Sequence, residues 1–545
     1  MVELIKRNEW KKYWIAALLF VIVFAVAEIV PSVQSVKENP YGGEVIAKSS
    51  AEEAAVAFVE EQTGSEVEAS RVVHQSDKLL AGYLSKEKLL KDYEKQYDEQ
   101  FPVDTFQVNL AFEDGSGDYG FVYVHMYTNE IVAWSYYIGA ELLDPEEAQE
   151  MVADYWSEKQ PQSGKWLFSG RNEDGDLTAD LDGASIGEAR LTLDTNAQIV
   201  NGAPVLTKFK PVFDVPDDYK RYVDKQDSIA GWLTGIGYGF MSFVLGVLAI
   251  IYAILYRGWT SFTYGIVLTV VFFVTYVIMN LGVMDGVIAS QGELHFGGGI
   301  LEISVVVTTI ILSVAMAASV YFSIVGGDGL WKAQGRRLWP RLKDAGYGDY
   351  IWRSMGLSYL FAAILLGLQP LIFLALGKLI GTWGASDVAM SPYNMSALWL
   401  MPVLAWAAAI SEEAVFRFFG IGLFRRWFRH TFAAAILPTL FWALGHVMYP
   451  FYPATTRLFE LMVVGLIFSF IFVRYGFITA MFTHAIFNSV AVGSSLFLIG
   501  GTVNIVSAIV FILLPVPIAY ILREWSKRKG TNPPTRSTIH PAEQQ

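Results

Sequence analysis

Apolar positions along the chain fall into two regimes. Residues 13–30 form an apolar run broken only by Glu28, residues 32–228 hold no run able to cross a bilayer, and from residue 229 the apolar runs follow in quick succession. The later runs read as spans at 229–256, 260–283, 300–325, 355–382, 397–423, 432–448, 458–473, 477–500 and 502–522, most near the ~20 residues a bilayer requires. With the first run they make an expected ten. Within 32–228 polarity alternates over short stretches, so 105–112, 120–127, 131–137 and 189–194 read as strands. Turn chemistry at 113–117 and at 173–176 punctuates them. Ser50 and Asp144, 94 residues apart and each just ahead of a Glu-Glu pair, read as helix N-caps.

The expected fold is therefore a polytopic α-helical membrane protein of about ten transmembrane helices, with an extracytoplasmic α+β domain between the first and second. Residues 1–31 make a cytoplasmic tail and anchor, 32–228 the α+β domain, 229–383 transmembrane helices 2–5, 384–522 the remaining helices and 523–545 a cytoplasmic tail. The two helix-then-strand units of 32–228 loosely resemble PepSY-type repeats.

Charge gives this layout a direction. Residues 32–228 carry 38 acidic against 17 basic residues, a net −21, so a chain of net −13 leaves +8 for the rest. Arg257, the basic residues between Lys332 and Arg353, Arg425, Arg426, Arg429, Arg474 and Arg523 to Lys529 all fall in loops expected inside, whereas 284–296 and 384–396 hold no Lys or Arg. That asymmetry puts both termini in the cytoplasm and the acidic block outside a cell membrane. It does not suit a nucleic-acid partner, and no oligomeric state follows from it. The absence of cysteine excludes disulfides and thiolate metal sites.

Chemistry concentrates in the last third. Ser411-Glu412-Glu413-Ala-Val-Phe-Arg417 interrupts an otherwise apolar helix, and intramembrane ionisable groups mark function by default. Glu413 and Arg417, at i and i+4, can neutralise each other; Glu412 points about 100° away and needs a partner on another helix. Of seven histidines, His446 and His484 fall within the expected spans, and Asn488 lies one turn beyond His484. Carboxylate, two imidazoles and an amide suffice to activate water against an amide bond, with Glu412 or Glu413 as base. Glu412, His446 and His484 could equally hold one divalent metal such as zinc, and the sequence leaves metal-free and metal-assisted attack open. A non-proteolytic scaffold, or an ion- or proton-coupled transporter, would use the same buried groups. Glu302, Lys378, Arg457 and Glu460 lie near span ends, where long side chains snorkel to the headgroups.

Glu412-Glu413-Ala-Val-Phe-Arg417, Trp442-Ala-Leu-Gly-His446 and His484-Ala-Ile-Phe-Asn488 resemble, in order, the Glu-Glu-x-x-x-Arg, Phe-x-x-x-His and His-x-x-x-Asn motifs of the CPBP family. That family comprises CAAX prenyl endopeptidases and bacteriocin-processing or self-immunity (Abi-type) membrane proteases. The resemblance covers about 397–498, with Trp442 at the position of the family's usual Phe. It implies an intramembrane endopeptidase acting on a peptide or membrane-anchored protein in the lipid bilayer. Carried over, Glu412 is the base, Glu413 its partner, Arg417 the residue orienting the pair, His446 and His484 water-activating or metal-binding, and Asn488 an oxyanion or ligand-orienting group.

Overall fold

The computed structural model describes residues 7–42, 44–112, 118–160, 164–172, 175–294 and 300–528. Residues 1–6 of the expected cytoplasmic tail, the expected turn at 113–117, the start of that at 173–176, the side chain of Glu302, and the tail beyond residue 528 lie outside the described residues. The chain opens with α1 (Glu9–Glu38), which carries a π-helical segment at Ala25–Ile29.

The α+β region follows as α2 (Lys48–Thr63), β1 (Val67–Ser76), α3 (Lys78–Glu87), β2 (Asp104–Phe112), β3 (Tyr119–His125), β4 (Ile131–Tyr137), β5 (Glu141–Leu142), α4 (Pro145–Lys159), β6 (Trp166–Arg171), β7 (Leu177–Ile186), β8 (Ala189–Val200) and β9 (Ala203–Asp214). Its antiparallel sheet runs β1-β2-β3-β4-β9-β8-β7-β6, with β5 on β8. Two four-stranded meanders, each preceded by a helix, thus meet at the β4–β9 pair, Trp134 opposite Phe209. Trp134 is fully buried there, stacks on Phe209 and donates from Nε1 to the Leu206 carbonyl at 2.7 Å. Asp144 caps α4, accepting from the Glu146 amide at 2.9 Å. Ser50 does not cap α2: Ala47 occupies that position without a side-chain bond. The Ile46 amide bonds the Met126 carbonyl at 2.9 Å, ending the extended chain earlier than Ser50.

The membrane part comprises α5 (Asp217–Leu255), α6 (Ile266–Gly282), α7 (Ile303–Ala333), α8 (Tyr347–Ile380), α9 (Leu398–Phe428), α10 (Thr431–Leu444), α11 (Thr456–Tyr475), α12 (Phe477–Ile499), α13 (Thr502–Leu513) and α14 (Pro515–Arg528). Among the described residues seven helices, α1, α5, α7, α8, α9, α11 and α12, are long and apolar enough to cross a membrane. The pair α13–α14, bent by 43°, makes an eighth if it counts as one span. All ten expected runs are helical, but a count of ten spans is not reached, because α6 (17 residues) and α10 (14 residues) are short. Fourteen residues rise only ~21 Å against a core of ~30 Å.

Glycines set the closest helix approaches. A Cβ on Gly367 of α8 would lie 2.0 Å from the Phe20 carbonyl oxygen of α1, and one on Gly327 of α7 would lie 3.0 Å from the Phe418 carbonyl oxygen of α9.

The sheet region is latched to loops of the membrane part. Asn394, buried ahead of α9, accepts from the His74 amide of β1 at 2.7 Å and donates to its carbonyl at 2.9 Å. Glu293 takes Lys210 at 2.7 Å and the hydroxyls of Tyr123 and Tyr137 at 2.6 and 2.8 Å. Asp227, near the start of α5, accepts from Lys78 and from Tyr452, which stands just past α10.

Candidate active site

The Glu412-Glu413-x-x-x-Arg417 stretch of α9 lies where the helix changes winding. Val403–Glu412 is α-helical, Glu413–Ile421 is π-helical and Gly422–Phe428 returns to α. Such insertions inside helices recur at functional sites, and they release backbone groups that need partners. Trp331 Nε1 of α7 supplies one, donating to the Phe418 carbonyl at 2.8 Å.

The two glutamates face different neighbours. Glu413 is fully buried, 3.2 Å from Arg417 Nη1 and 2.9 Å from His484 Nδ1. Arg417, also fully buried, stacks over Trp442, its guanidinium carbon 4.1 Å from the ring centroid, and over Phe468 at 5.5 Å. None of its three guanidinium nitrogens has a hydrogen-bond partner among the described residues, and neither does Glu413 Oε2. Its charge is met by the carboxylate and by aromatic faces instead. Glu412, partly accessible, takes a hydrogen bond from Trp442 Nε1. Its Oε1 stands 3.9 Å from His446 Nε2 and its Oε2 3.8 Å from His484 Nε2.

Partners on the far side of each imidazole fix where its proton sits. His446 Nδ1 lies 2.9 Å from the Trp442 carbonyl, which can only accept. His484 Nδ1 faces the Glu413 carboxylate, and its ring stacks on Phe468 at 4.6 Å. In the neutral rings both protons are therefore on Nδ1, and both Nε2 lone pairs point toward Glu412. Both imidazoles flank the Glu412 carboxylate, one at each oxygen, and the donor given to that carboxylate is the Trp442 indole. That arrangement asks for a bridging water, a proton or a cation, the two gaps of 3.9 and 3.8 Å reaching different oxygens of Glu412.

The donor types also suit zinc, with Glu413 and the Trp442 carbonyl in the outer-shell role that orients ligating histidines. The spacing does not: ligands at ~2.0–2.1 Å in a tetrahedron stand about 3.3 Å apart. Among the described residues no group of three or more His, Cys, Asp or Glu is close enough to hold a metal ion.

Five of the six expected site residues thus meet. Asn488, half-buried one turn beyond His484, has no hydrogen bond to the other five among the described residues. Two expectations need correcting. His446 is not on a helix: α10 ends at Leu444 and His446 occupies the turn that follows. Nor do Arg457 and Glu460 snorkel, for Glu460 is fully buried and takes Arg457 Nη1 at 2.9 Å and Gln369 Nε2 at 3.0 Å. Trp442 was legible only as aromatic packing; its N–H, the feature that distinguishes it from Phe, was the available sign of a bond to Glu412. Phe468 carried no sign beyond being apolar.

A cavity of about 1070 Å³, which none of the six site residues lines, is walled by Phe24 and Glu28 of α1, Leu366 and Gln369 of α8, and Ala491 and Leu498 of α12. Ala491 follows His484 by seven residues, two turns along the same helix face and ~10 Å away. No curated protein and no solved structure matches the chain. Residues 394–490, which hold all six residues of the three motifs, match the family model Rce1-like, described as type II CAAX prenyl endopeptidase Rce1-like, so in this stretch the chain is similar to the CAAX proteases that its motifs resembled.

Proposed function

We propose that the chain is an intramembrane endopeptidase that hydrolyses a peptide bond of a membrane-associated peptide or protein. The observation that carries this reading is the convergence of the Glu412 carboxylate and the two Nε2 lone pairs at 3.8–3.9 Å, with Glu413 and the Trp442 carbonyl holding both rings in the required tautomer. A water held between these acceptors gives one proton to Glu412 as its oxygen attacks the substrate carbonyl. The carbonyl π electrons move onto oxygen, and the role proposed for the Asn488 amide, one turn from His484, is to donate to it. Collapse breaks the C–N bond, and the proton on Glu412 passes to the leaving nitrogen. No step is routed through a metal, because the donor spacing does not fit one.

The family name points to substrates with a prenylated C-terminal motif, and the mostly apolar cavity beside α12 suits a substrate that stays in the lipid phase. The basic loops support a cell-membrane placement with both termini cytoplasmic and the sheet domain outside.

The test is cleavage in proteoliposomes of a peptide with a farnesylated C-terminal Cys-aliphatic-aliphatic-X motif and of its unprenylated twin. Wild type cleaves, and Glu412→Gln loses roughly 10²–10⁴ of kcat while keeping its thermal unfolding profile. Equal cleavage by wild type and Glu412→Gln contradicts the proposal.

A further inference from the structure

His446 presents a problem of placement. It lies past the end of α10, so no helix fixes its backbone, and its side chain is 20% exposed. The Nδ1 bond to the Trp442 carbonyl sets the tautomer but leaves the ring one hydrogen-bond axis about which to swing. A second constraint comes from outside the three motifs. The Tyr449 ring lies parallel to the imidazole, with centroids 6.0 Å apart and planes at 8°. The Arg457 guanidinium carbon stands 5.3 Å from the Tyr449 centroid, and 5.6 and 5.9 Å from those of Phe451 and Phe373. Glu460 and then Gln369 of α8 fix that guanidinium through the bonds given above.

A buried ion pair within a membrane helix needs a reason. Apolar residues of the same volume are usually no less stable there, and one partner left alone is costly. Resting the pair against an aromatic ring that itself rests on the imidazole supplies that reason. We infer that Tyr449 and Arg457 are positioning residues for His446, forming with Glu460 and Gln369 a brace from α8 and α11 that holds the imidazole in the plane facing Glu412. The inference rests on the hydrolytic reading of the Glu412 cluster and extends it to residues outside the Glu-Glu, Trp/His and His/Asn motifs. It also ties the cluster to the cavity, since Gln369 and Arg457 line the cavity wall.

Two measurements on the full chain in proteoliposomes test the brace, one of them independent of turnover. The first compares kcat and KM for Tyr449→Phe, Tyr449→Leu, Arg457→Met and the double variant Arg457→Met/Glu460→Met, which leaves no buried charge alone. Tyr449→Phe stays within about twofold of wild type, whereas the other three lose about tenfold in kcat with KM unchanged. The second is the rate of carbethoxylation of His446, read peptide by peptide by mass spectrometry with the exposed His430 as internal reference. It rises severalfold in Tyr449→Leu and in both Arg457 variants and stays at the wild-type value in Tyr449→Phe. The brace is overturned if the His446 rate is the same in all variants, or if Tyr449→Phe behaves as Tyr449→Leu does. Failure of the hydrolytic reading looks different: Glu412→Gln then cleaves like wild type, whatever the carbethoxylation rates.

Discussion

The sheet domain and the helix bundle differ in where they leave buried charge unpartnered. In the sheet, groups such as the Trp134 indole and the Thr195 hydroxyl each find a backbone carbonyl, and the unpartnered buried atoms among the described residues are scattered, single and neutral. In the bundle, four unpartnered atoms belong to one ion pair, Arg417 and Glu413, and this pair backs the point where Glu412, His446 and His484 meet. A ladder disperses polar demand along the backbone; a site collects it. Under-satisfied buried groups deserve a cause, and here the cause is a pair that holds His484 rather than one that stabilises the fold.

The comparison breaks first, and by the largest margin, at His484. His484→Phe keeps a ring against Phe468 but removes both nitrogens, and cleavage rate falls roughly 10²–10⁴-fold with helix content unchanged by circular dichroism. Next comes the cost of unpairing charge. Arg417→Met, which leaves Glu413 buried without its cation, destabilises by roughly 3–5 kcal/mol in denaturant titrations. In the sheet, Lys208→Met leaves Asp176 with Asn196 still bonded, and costs only roughly 1.5–3 kcal/mol. If the two cost the same, the contrast between regions is wrong. Trp442→Phe separates the indole bond from the aromatic platform: removing one hydrogen bond while keeping the face over Arg417 lowers kcat by no more than about tenfold.

The latch between the regions has a pH signature. Burial alone raises the pKa of Glu293, but the Lys210 ammonium and the hydroxyls of Tyr123 and Tyr137 outweigh it and hold the carboxyl below its ordinary range. A carboxylate depressed in the folded state stabilises above its unfolded value of about 4.3 and loses that contribution as pH falls through the folded value. Hydrogen-exchange protection factors in β3 and β4, corrected for the intrinsic rate, therefore fall below pH ~4 in wild type, and Glu293→Gln removes that dependence. The smallest expected effect is none: dialysis against a chelator, followed by zinc add-back, leaves cleavage unchanged, because the donors stand too far apart. A loss restored by zinc shows that the cluster closes on a metal.

Legibility followed the same divide. The motifs named the five residues that meet, because buried charge within apolar runs has few structural explanations, and i, i+4 spacing placed Glu413 with Arg417 but brought Asn488 no bond to the cluster. Alternation revealed β2, β3, β4 and the start of β8. It missed β5, β6 and β7, as well as β1, where Glu68, Arg71 and His74 blur the period, and β9, where Pro204 and Pro211 read as breaks although both are tolerated in the strand. Ten apolar runs and seven or eight long apolar helices differ because an apolar run does not announce where its helix stops: Gly445 opens a turn inside one run, and Pro515 follows the bend inside another. The brace on His446 was invisible for a related reason, since Arg457 and Glu460 near a span end look the same whether they face headgroups or each other.

The most direct test of the central claim, that these side chains deliver water itself to the peptide bond, is a single turnover in H₂¹⁸O with enzyme in excess over substrate. Direct attack predicts that every new carboxyl group carries one ¹⁸O and that the Glu412 peptide carries none. Label in Glu412, with unlabelled product from the first turnover, would mean that the carboxylate is the nucleophile and would contradict the account.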